Sequence, residues 1–184
     1  MKTNFIKTYQ VNKNICEGLI SFFNNNSHQW VKGHSGGEIK NHIKKSTELG
    51  ISLLNDENIN FVKYKKQLMK FINDYKKKYV YCDRNQSKWG IKENINIQKY
   101  FPNEGYFHWH YENRGCEVTK NRHLVFMTYL NTVKNGGTKF LYQKKTFNAI
   151  QGLTLIWPAT WTHTHQGVIA KKEKLIITGW LSFL

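Results

Sequence analysis

Two short stretches far apart in the chain constrain it most. One is Tyr100-Phe-Pro-Asn-Glu-Gly-Tyr-Phe-His-Trp-His-Tyr-Glu112, the other Trp161-Thr-His-Thr-His-Gln-Gly167. In the first, an imidazole and a carboxylate stand two positions apart, at His110 and Glu112. On an extended strand residues i and i+2 point to the same face, so both side chains reach one point in space. An imidazole arriving from the second stretch completes two histidines and one carboxylate. That set suits a non-haem iron(II) ion, which must keep coordination positions open for other ligands. Such a chain has to bring two distant strands side by side, and the remaining residues read as the scaffold that does so.

The strand signals agree. From about Ile91 the apolar period changes from helical to alternating, with Ile95 and Ile97 set between Asn94, Asn96 and Gln98. Strands are predicted at His123–Leu130, Thr138–Tyr142, Thr146–Ile150, Leu153–Trp157, Trp161–Gly167 and Lys174–Leu181. A hairpin turn is predicted at Asn135-Gly136-Gly137, where positive φ costs little. Many short strands separated by turn signals point to a barrel or a double-sheet jelly roll.

The first half reads differently. Residues 1–10 form a short leading strand. Ile15, Leu19, Ile20 and Phe23 recur at helical spacing over 12–25, with Asn12 as N-cap. Gln29 to Gly37 is a loop, and Ile39, Ile43 and Leu49 belong to a short helix or an irregular segment. The clearest helix carries Phe61, Tyr64, Leu68, Phe71, Ile72, Tyr75 and Tyr79 on one face and lysines on the other. No linker separates the halves, so 1–184 reads as one domain, a helical preamble over about 1–90 and a β core over about 91–184.

Composition narrows the setting. Three widely spaced cysteines, Cys16, Cys82 and Cys116, contain no CxxC pair and read as free thiols in a reducing cytoplasm. No long apolar run and no signal-peptide core is found, so a cytoplasmic location without a membrane partner is expected. The net charge of +16, from 28 basic and 12 acidic residues, favours polyanions. Because the lysines are spread along the whole chain, nucleic acid is carried as a partner but not favoured.

The remaining histidines divide by context. His28, His34 and His42 read as surface residues and His123 as a core or rim residue. His108 would share a face with His110 and Glu112 on a regular strand, and His163 shares one with His165. Four imidazoles on one ion would make a cupin-like site. Packing within a barrel is the structural alternative. Lys174 enters the last strand among apolar neighbours. It either points inward, where it needs an anion partner, or belongs to the solvated turn of Lys171, Lys172 and Glu173.

In order along the chain, Tyr100 to Glu112, Met127-Thr-Tyr-Leu130, Gly136-Gly137-Thr138-Lys-Phe140, Trp157-Pro158, His163-Thr-His165-Gln-Gly167 and Lys174 to Trp180 resemble the iron(II)- and 2-oxoglutarate-dependent dioxygenases, in their prolyl 4-hydroxylase-like branch. The resemblance covers about 90–184. It implies an α+β, mainly β chain, a double-stranded β-helix (jelly roll) with the N-terminal helices packed on one sheet. It implies Fe(II), 2-oxoglutarate and dioxygen, and hydroxylation of an unactivated C–H bond. His110, Glu112 and His165 would hold the metal, with His163 as the alternative distal ligand. Lys174, with Tyr100, would take the far carboxylate of 2-oxoglutarate. Tyr106, Trp109, Tyr129, Thr178 and Trp180 are candidates to line the pocket, and Arg114 and Arg122 to touch substrate. The substrate that the resemblance implies is a prolyl residue in a peptide, and the alternatives are a free amino acid, a small metabolite or, from the basic charge, a nucleobase.

The chain departs from the family pattern at two places. Glu112 stands where the pattern has aspartate. The spacing also slips by one residue at Tyr100 and around His163 and His165. The alternative reading is therefore a catalytically inactive or cupin-type metal-binding module, one that binds nucleic acid in a version of it.

Overall fold

The computed structural model describes residues 3–34, 38–55, 57–84 and 87–184. The chain begins with β1 (Lys7–Gln10), α1 (Lys13–Asn25), β2 (Val31–Lys32), β3 (Lys44–Lys45), β4 (Thr47–Ile51) and α2 (Ile59–Lys78). It continues through β5 (Trp89–Ile91), β6 (Ile95–Tyr100), β7 (Gly105–Tyr106), β8 (Arg122–Tyr129) and β9 (Val133–Phe140). It closes with β10 (Lys145–Ala149), β11 (Leu153–Pro158), β12 (His165–Gly167) and β13 (Lys174–Phe183). The large sheet has the order β1-β11-β8-β13-β6-β4-β2, with β5 on the far end of β13. A smaller sheet, β10-β9-β12, faces it, and β3 pairs with β7. All pairings are antiparallel, as a jelly roll requires.

Both helices form for local reasons and are then held by packing. The Asn12 side chain accepts the Asn14 N–H at the start of α1, and Asn58 accepts the Phe61 N–H at the start of α2. Lys76, Lys77 and Lys78 occupy the last turn of α2, where cations favour the helix dipole. Ile15, Cys16, Leu19 and Phe23 of α1 and Phe61, Tyr64, Leu68, Ile72 and Tyr75 of α2 are buried. They pack on one face of the large sheet, against Leu49, Ile97, Leu124, Phe126, Leu175 and Ile177.

The other face builds a second core. Val125, Met127, Tyr129 and Ile176 meet Val133, Phe140 and Phe147 of the small sheet. The strand period of two does this sorting. In β8, Leu124 and Phe126 turn to the helices while Val125, Met127 and Tyr129 turn inward. In β13, Leu175 and Ile177 face the helices while Ile176 faces inward. Gly179 lies opposite Phe126, and a Cβ there would come within 2.5 Å of the phenyl ring.

Four expectations need correction. The segment around Leu49 is neither helix nor irregular: β4 pairs with β6 in the large sheet, and Leu49 and Ile51 are buried on its helix side. Two alternations are too few for a period to show. The stretch Gln29 to Gly37 contains strand β2, with residues 35–37 outside the described ones. Asn135-Gly136-Gly137 is a bulge within β9 rather than a turn. Phe147 pairs with Thr138 but Ala149 pairs with Val133, so extra residues are accommodated there. Asn135 takes φ +58, and Gly137 is required because a Cβ would lie 1.9 Å from the Phe147 carbonyl oxygen. The chain reverses instead at 141–144, with Lys144 at φ +49. Finally, Trp161–Gly167 is not one strand, since Trp161–His163 form a 3-10 turn and only His165–Gly167 pair.

None of the cysteines is paired; Cys16 is buried, Cys82 half-buried and Cys116 exposed. Among the described residues, no helix is long and apolar enough to cross a membrane.

Candidate active site

Between the two sheets lies a cavity of about 460 Å³. Its inner end is made by the buried Tyr100, Tyr129, Thr138 and Lys174, and its outer end by residues that include the exposed Arg114, Cys116 and Val118. His110, Glu112 and His165 sit on its wall.

Backbone pairing creates that cluster. His110 and His165 form an isolated bridge, His110 N–H donating to the His165 carbonyl at 2.9 Å and His165 N–H to the His110 carbonyl at 2.8 Å. The Glu112 N–H donates to the Ala159 carbonyl at 3.0 Å, which fixes the carboxylate two residues on. Each imidazole spends Nδ1 on a backbone carbonyl, His110 on His108 at 3.1 Å and His165 on His163 at 2.9 Å. Nδ1 is thus the protonated nitrogen, and both Nε2 lone pairs face the carboxylate. Each Nε2 lies 3.6 Å from Glu112 Oε1, and the three ligand atoms fall within 4.8 Å of one another.

The electrostatics suit a cation. Burial, and then the neighbouring His165, push the His110 imidazole down to about 3, so it is a neutral base at physiological pH. Burial on its own would raise the Glu112 carboxyl. The imidazoles of His165 and His110 and the Arg122 guanidinium outweigh it and hold the group well below the usual carboxylate range. Two imidazoles and one carboxylate, with no thiolate, are a donor set for iron(II) rather than a closed zinc site. These residues fit the metal. Packing fixes the rings: Tyr106 stacks on His110 with centroids 3.5 Å apart, and Trp157 and Phe140 flank His165.

The other histidines stand apart from the cluster. His163 turns away, its Nε2 on the Asn4 carbonyl at 2.9 Å and its Nδ1 on the Thr162 hydroxyl at 3.0 Å. The turn that replaces the expected strand is what separates it from His165. His108 is exposed and bonds the His42 carbonyl at 3.2 Å, because residues 107–109 are not a regular strand. A cupin-like set that includes His108 and His163 is therefore not assembled. His28 and His42 are exposed; His34 is also exposed but lines the cavity. His123 is half-buried on the Cys82 carbonyl at 2.8 Å.

Lys174 takes the inward of its two readings. It is only 4% exposed, and its ammonium donates to the Val168 carbonyl at 3.1 Å. Among the described residues no carboxylate lies within ion-pair reach of it. Burial pushes its pKa down to about 8. Tyr100 is its cross-strand partner, but the Tyr100 hydroxyl donates to Gln98 Oε1 at 2.7 Å. Tyr129, fully buried, donates to the Thr138 hydroxyl at 2.7 Å.

Tyr106, Tyr129, Thr178 and Trp180 all line the cavity. Trp109 does not; it is exposed with Lys139 over its ring at 5.0 Å. Arg114 donates to the Tyr106 hydroxyl at 3.0 Å. Arg122 reaches Glu112 rather than open solvent. Sequence reasoning missed Thr138, although it ends the Gly136-Gly137-Thr138 motif. It also missed Glu93, which pairs with Arg122 and carries no signal in the sequence.

Residues 95–182 match the family model described as the 2OG-Fe(II) oxygenase superfamily. No curated protein sequence matches the chain. The fold is similar to that of a viral collagen prolyl hydroxylase from Paramecium Bursaria Chlorella virus-1, solved as a 2OG complex. That match has a TM-score of 0.73 and 19% identity, and covers 98% of this chain and 96% of that one. It is similar also to a Pseudomonas putida prolyl-4-hydroxylase, with a TM-score of 0.74, 14% identity and coverage of 99% and 94%. A Trichoplax adhaerens prolyl hydroxylase, solved with a hypoxia inducible factor oxygen degradation domain peptide fragment, gives 0.80, 15%, 98% and 84%.

Proposed function

We propose, for a chain that belongs to the 2OG-Fe(II) oxygenase superfamily through its residues 95–182, that His110, Glu112 and His165 hold Fe(II), that Lys174 anchors 2-oxoglutarate, and that the group hydroxylated is a prolyl residue in a peptide. The observation that carries this reading is one cavity holding both the ligand cluster and a buried lysine that has no carboxylate partner among the described residues. An inward ammonium without a counter-ion is costly, and a bound dicarboxylate supplies one.

The chain's own residues have defined tasks. His110 and His165 offer Nε2 donors, each ring fixed by a carbonyl on Nδ1. Glu112 offers one ionised oxygen between them. Lys174 draws a carboxylate to the inner end, where Tyr129 and Thr138 add hydroxyls and Met127 and Ile176 exclude water. When bound, Fe(II) supplies the centre at which 2-oxoglutarate is oxidatively decarboxylated by dioxygen to succinate and carbon dioxide, with an oxygen atom passed to a C–H bond. The outer end of the cavity, with Tyr111, Arg114 and Trp180, is left to the substrate. The Trichoplax neighbour's peptide complex supports a peptide there.

The test is turnover of purified protein with Fe(II), 2-oxoglutarate and air against proline-containing peptides, free proline and single-stranded DNA. Succinate and the mass gain of one oxygen atom on a peptide are expected, both lost in His110→Ala. Oxidation of free proline or DNA, with peptides untouched, overturns the peptide assignment. Absence of 2-oxoglutarate binding to metal-loaded protein overturns the cosubstrate assignment.

A further inference from the structure

The two oxygens of the Glu112 carboxylate serve different neighbours. Oε1 faces the imidazoles, 3.6 Å from each Nε2. Oε2 turns the other way, where it accepts the Trp180 indole N–H at 2.9 Å and lies 3.5 Å from Nη1 of Arg122. Arg122 is itself held. Its Nε and Nη2 donate to the two oxygens of Glu93 at 3.0 and 2.6 Å, and its guanidinium carbon lies 3.5 Å from the Trp180 ring centroid. Glu93 comes from the turn between β5 and β6, Arg122 opens β8, and Trp180 lies near the end of β13. Strand pairing keeps the last two together, Trp180 opposite Val125 and Ser182 opposite Arg122.

A glutamate has one more rotatable bond than an aspartate, so its carboxylate can swing and present both oxygens to one ion. Chelation by both would occupy a position that the cosubstrate or dioxygen needs. With Oε2 committed to an indole N–H and a guanidinium, that rotation would break a charge-assisted contact in a buried site. We propose that Trp180, Arg122 and Glu93 form a clamp that fixes Glu112 as a one-oxygen ligand, and that these three positioning residues are matched to the length of a glutamate. The proposal rests on the assignment of His110, Glu112 and His165 as the metal ligands. It carries a consequence for Glu112→Asp. The shorter side chain withdraws the carboxylate by about 1.5 Å, one carbon–carbon bond, and cannot reach the imidazoles and Trp180 together.

The experiment is anaerobic titration of the full chain with Co(II), followed by d–d absorption, and with Mn(II), followed by the electron paramagnetic resonance of the unbound ion. Trp180→Phe and Arg122→Met are each expected to weaken both metals by roughly 10–100-fold, the usual cost of removing a ligand's outer partner, and to shift the Co(II) bands. Arg122→Lys keeps the charge without the fork and should fall between. Glu112→Asp should bind more weakly than the native chain, and in that background Trp180→Phe should add nothing. Should Arg122→Met fail to fold, Glu93→Gln loosens the same fork and carries the same direction of change. Native Co(II) spectra and affinities in Trp180→Phe and in the arginine or Glu93 variant, whatever their melting temperatures, overturn the clamp. Failure of the native chain to bind either metal overturns the ligand assignment instead.

Discussion

Lys174 and Tyr100 are cross-strand partners on β13 and β6, and the lysine ammonium lies 5.2 Å from the tyrosine ring centroid. The contact gives a buried cation an aromatic face but no counter-charge. Lys174→Ala should therefore weaken 2-oxoglutarate binding by about 2–5 kcal/mol, the range for truncating one partner of a buried charge pair. Isothermal titration onto Mn(II)-loaded protein measures it.

The same lysine gives a pH dependence with a definite sign. Its pKa is depressed from 10.5 to about 8 by burial. Between those values the unfolded chain binds more protons than the native one, so stability rises with pH. Below about 8 the penalty is present in full. Ligand-free protein should gain melting temperature from pH 8 to 10 relative to Lys174→Met, while 2-oxoglutarate affinity falls, since the dicarboxylate needs the ammonium form. A flat affinity across that window would count against a charge-based anchor.

His163 and His165 should separate cleanly. His165→Ala removes a proposed ligand and should cost more than the roughly 10–100-fold that loss of a ligand's outer partner costs in metal affinity. His163→Ala leaves the cluster intact and removes a contact to Asn4, so its effect should appear in melting temperature. Mn(II) affinity of the two variants decides between them.

Much of this was legible from residues alone. The α2 stripe of Phe61, Tyr64, Leu68, Ile72 and Tyr75 is long enough for the 3.6-residue period to show, and it is buried. The dense strand before Leu130 and the alternation at Ile95 and Ile97 were visible for the same reason. What escaped depends on tertiary context. β4 has too few residues to display a period and is a strand only because β6 and β2 flank it. A bulge and a hairpin turn call for the same asparagine and glycines, so Asn135-Gly136-Gly137 could not be told apart locally. His163 and His165 share a face only if the backbone is extended, and the Trp161–His163 turn breaks that condition. Glu93 meets Arg122 across a distance in sequence that no local pattern encodes.

The helix layer makes its own prediction. Leu68 is fully buried between α2 and the large sheet, whereas its neighbour Met69 is 48% exposed. Leu68→Ala should destabilise by about 2–5 kcal/mol, and Met69→Ala should stay within about 0.5 kcal/mol. Chemical denaturation of the two variants reads the difference.

Gly137 should tolerate nothing larger. Its missing Cβ would collide with backbone, the Phe147 carbonyl oxygen, and not with a side chain that could rotate away. Gly137→Ala should lower the yield of folded protein and loosen the small sheet, seen as faster amide exchange at Thr138 and Phe147.

Alternation along β13 separates two kinds of evolutionary change. Lys174, Ile176, Thr178 and Trp180 line the reaction chamber, while Leu175 and Ile177 between them hold the helices. Replacing the first group can retarget the chemistry with the architecture left standing. Replacing the second erodes the architecture while every reactive group keeps its identity. Inserting or deleting a single residue here would exchange the two roles at once, so drift in this strand must proceed by substitution.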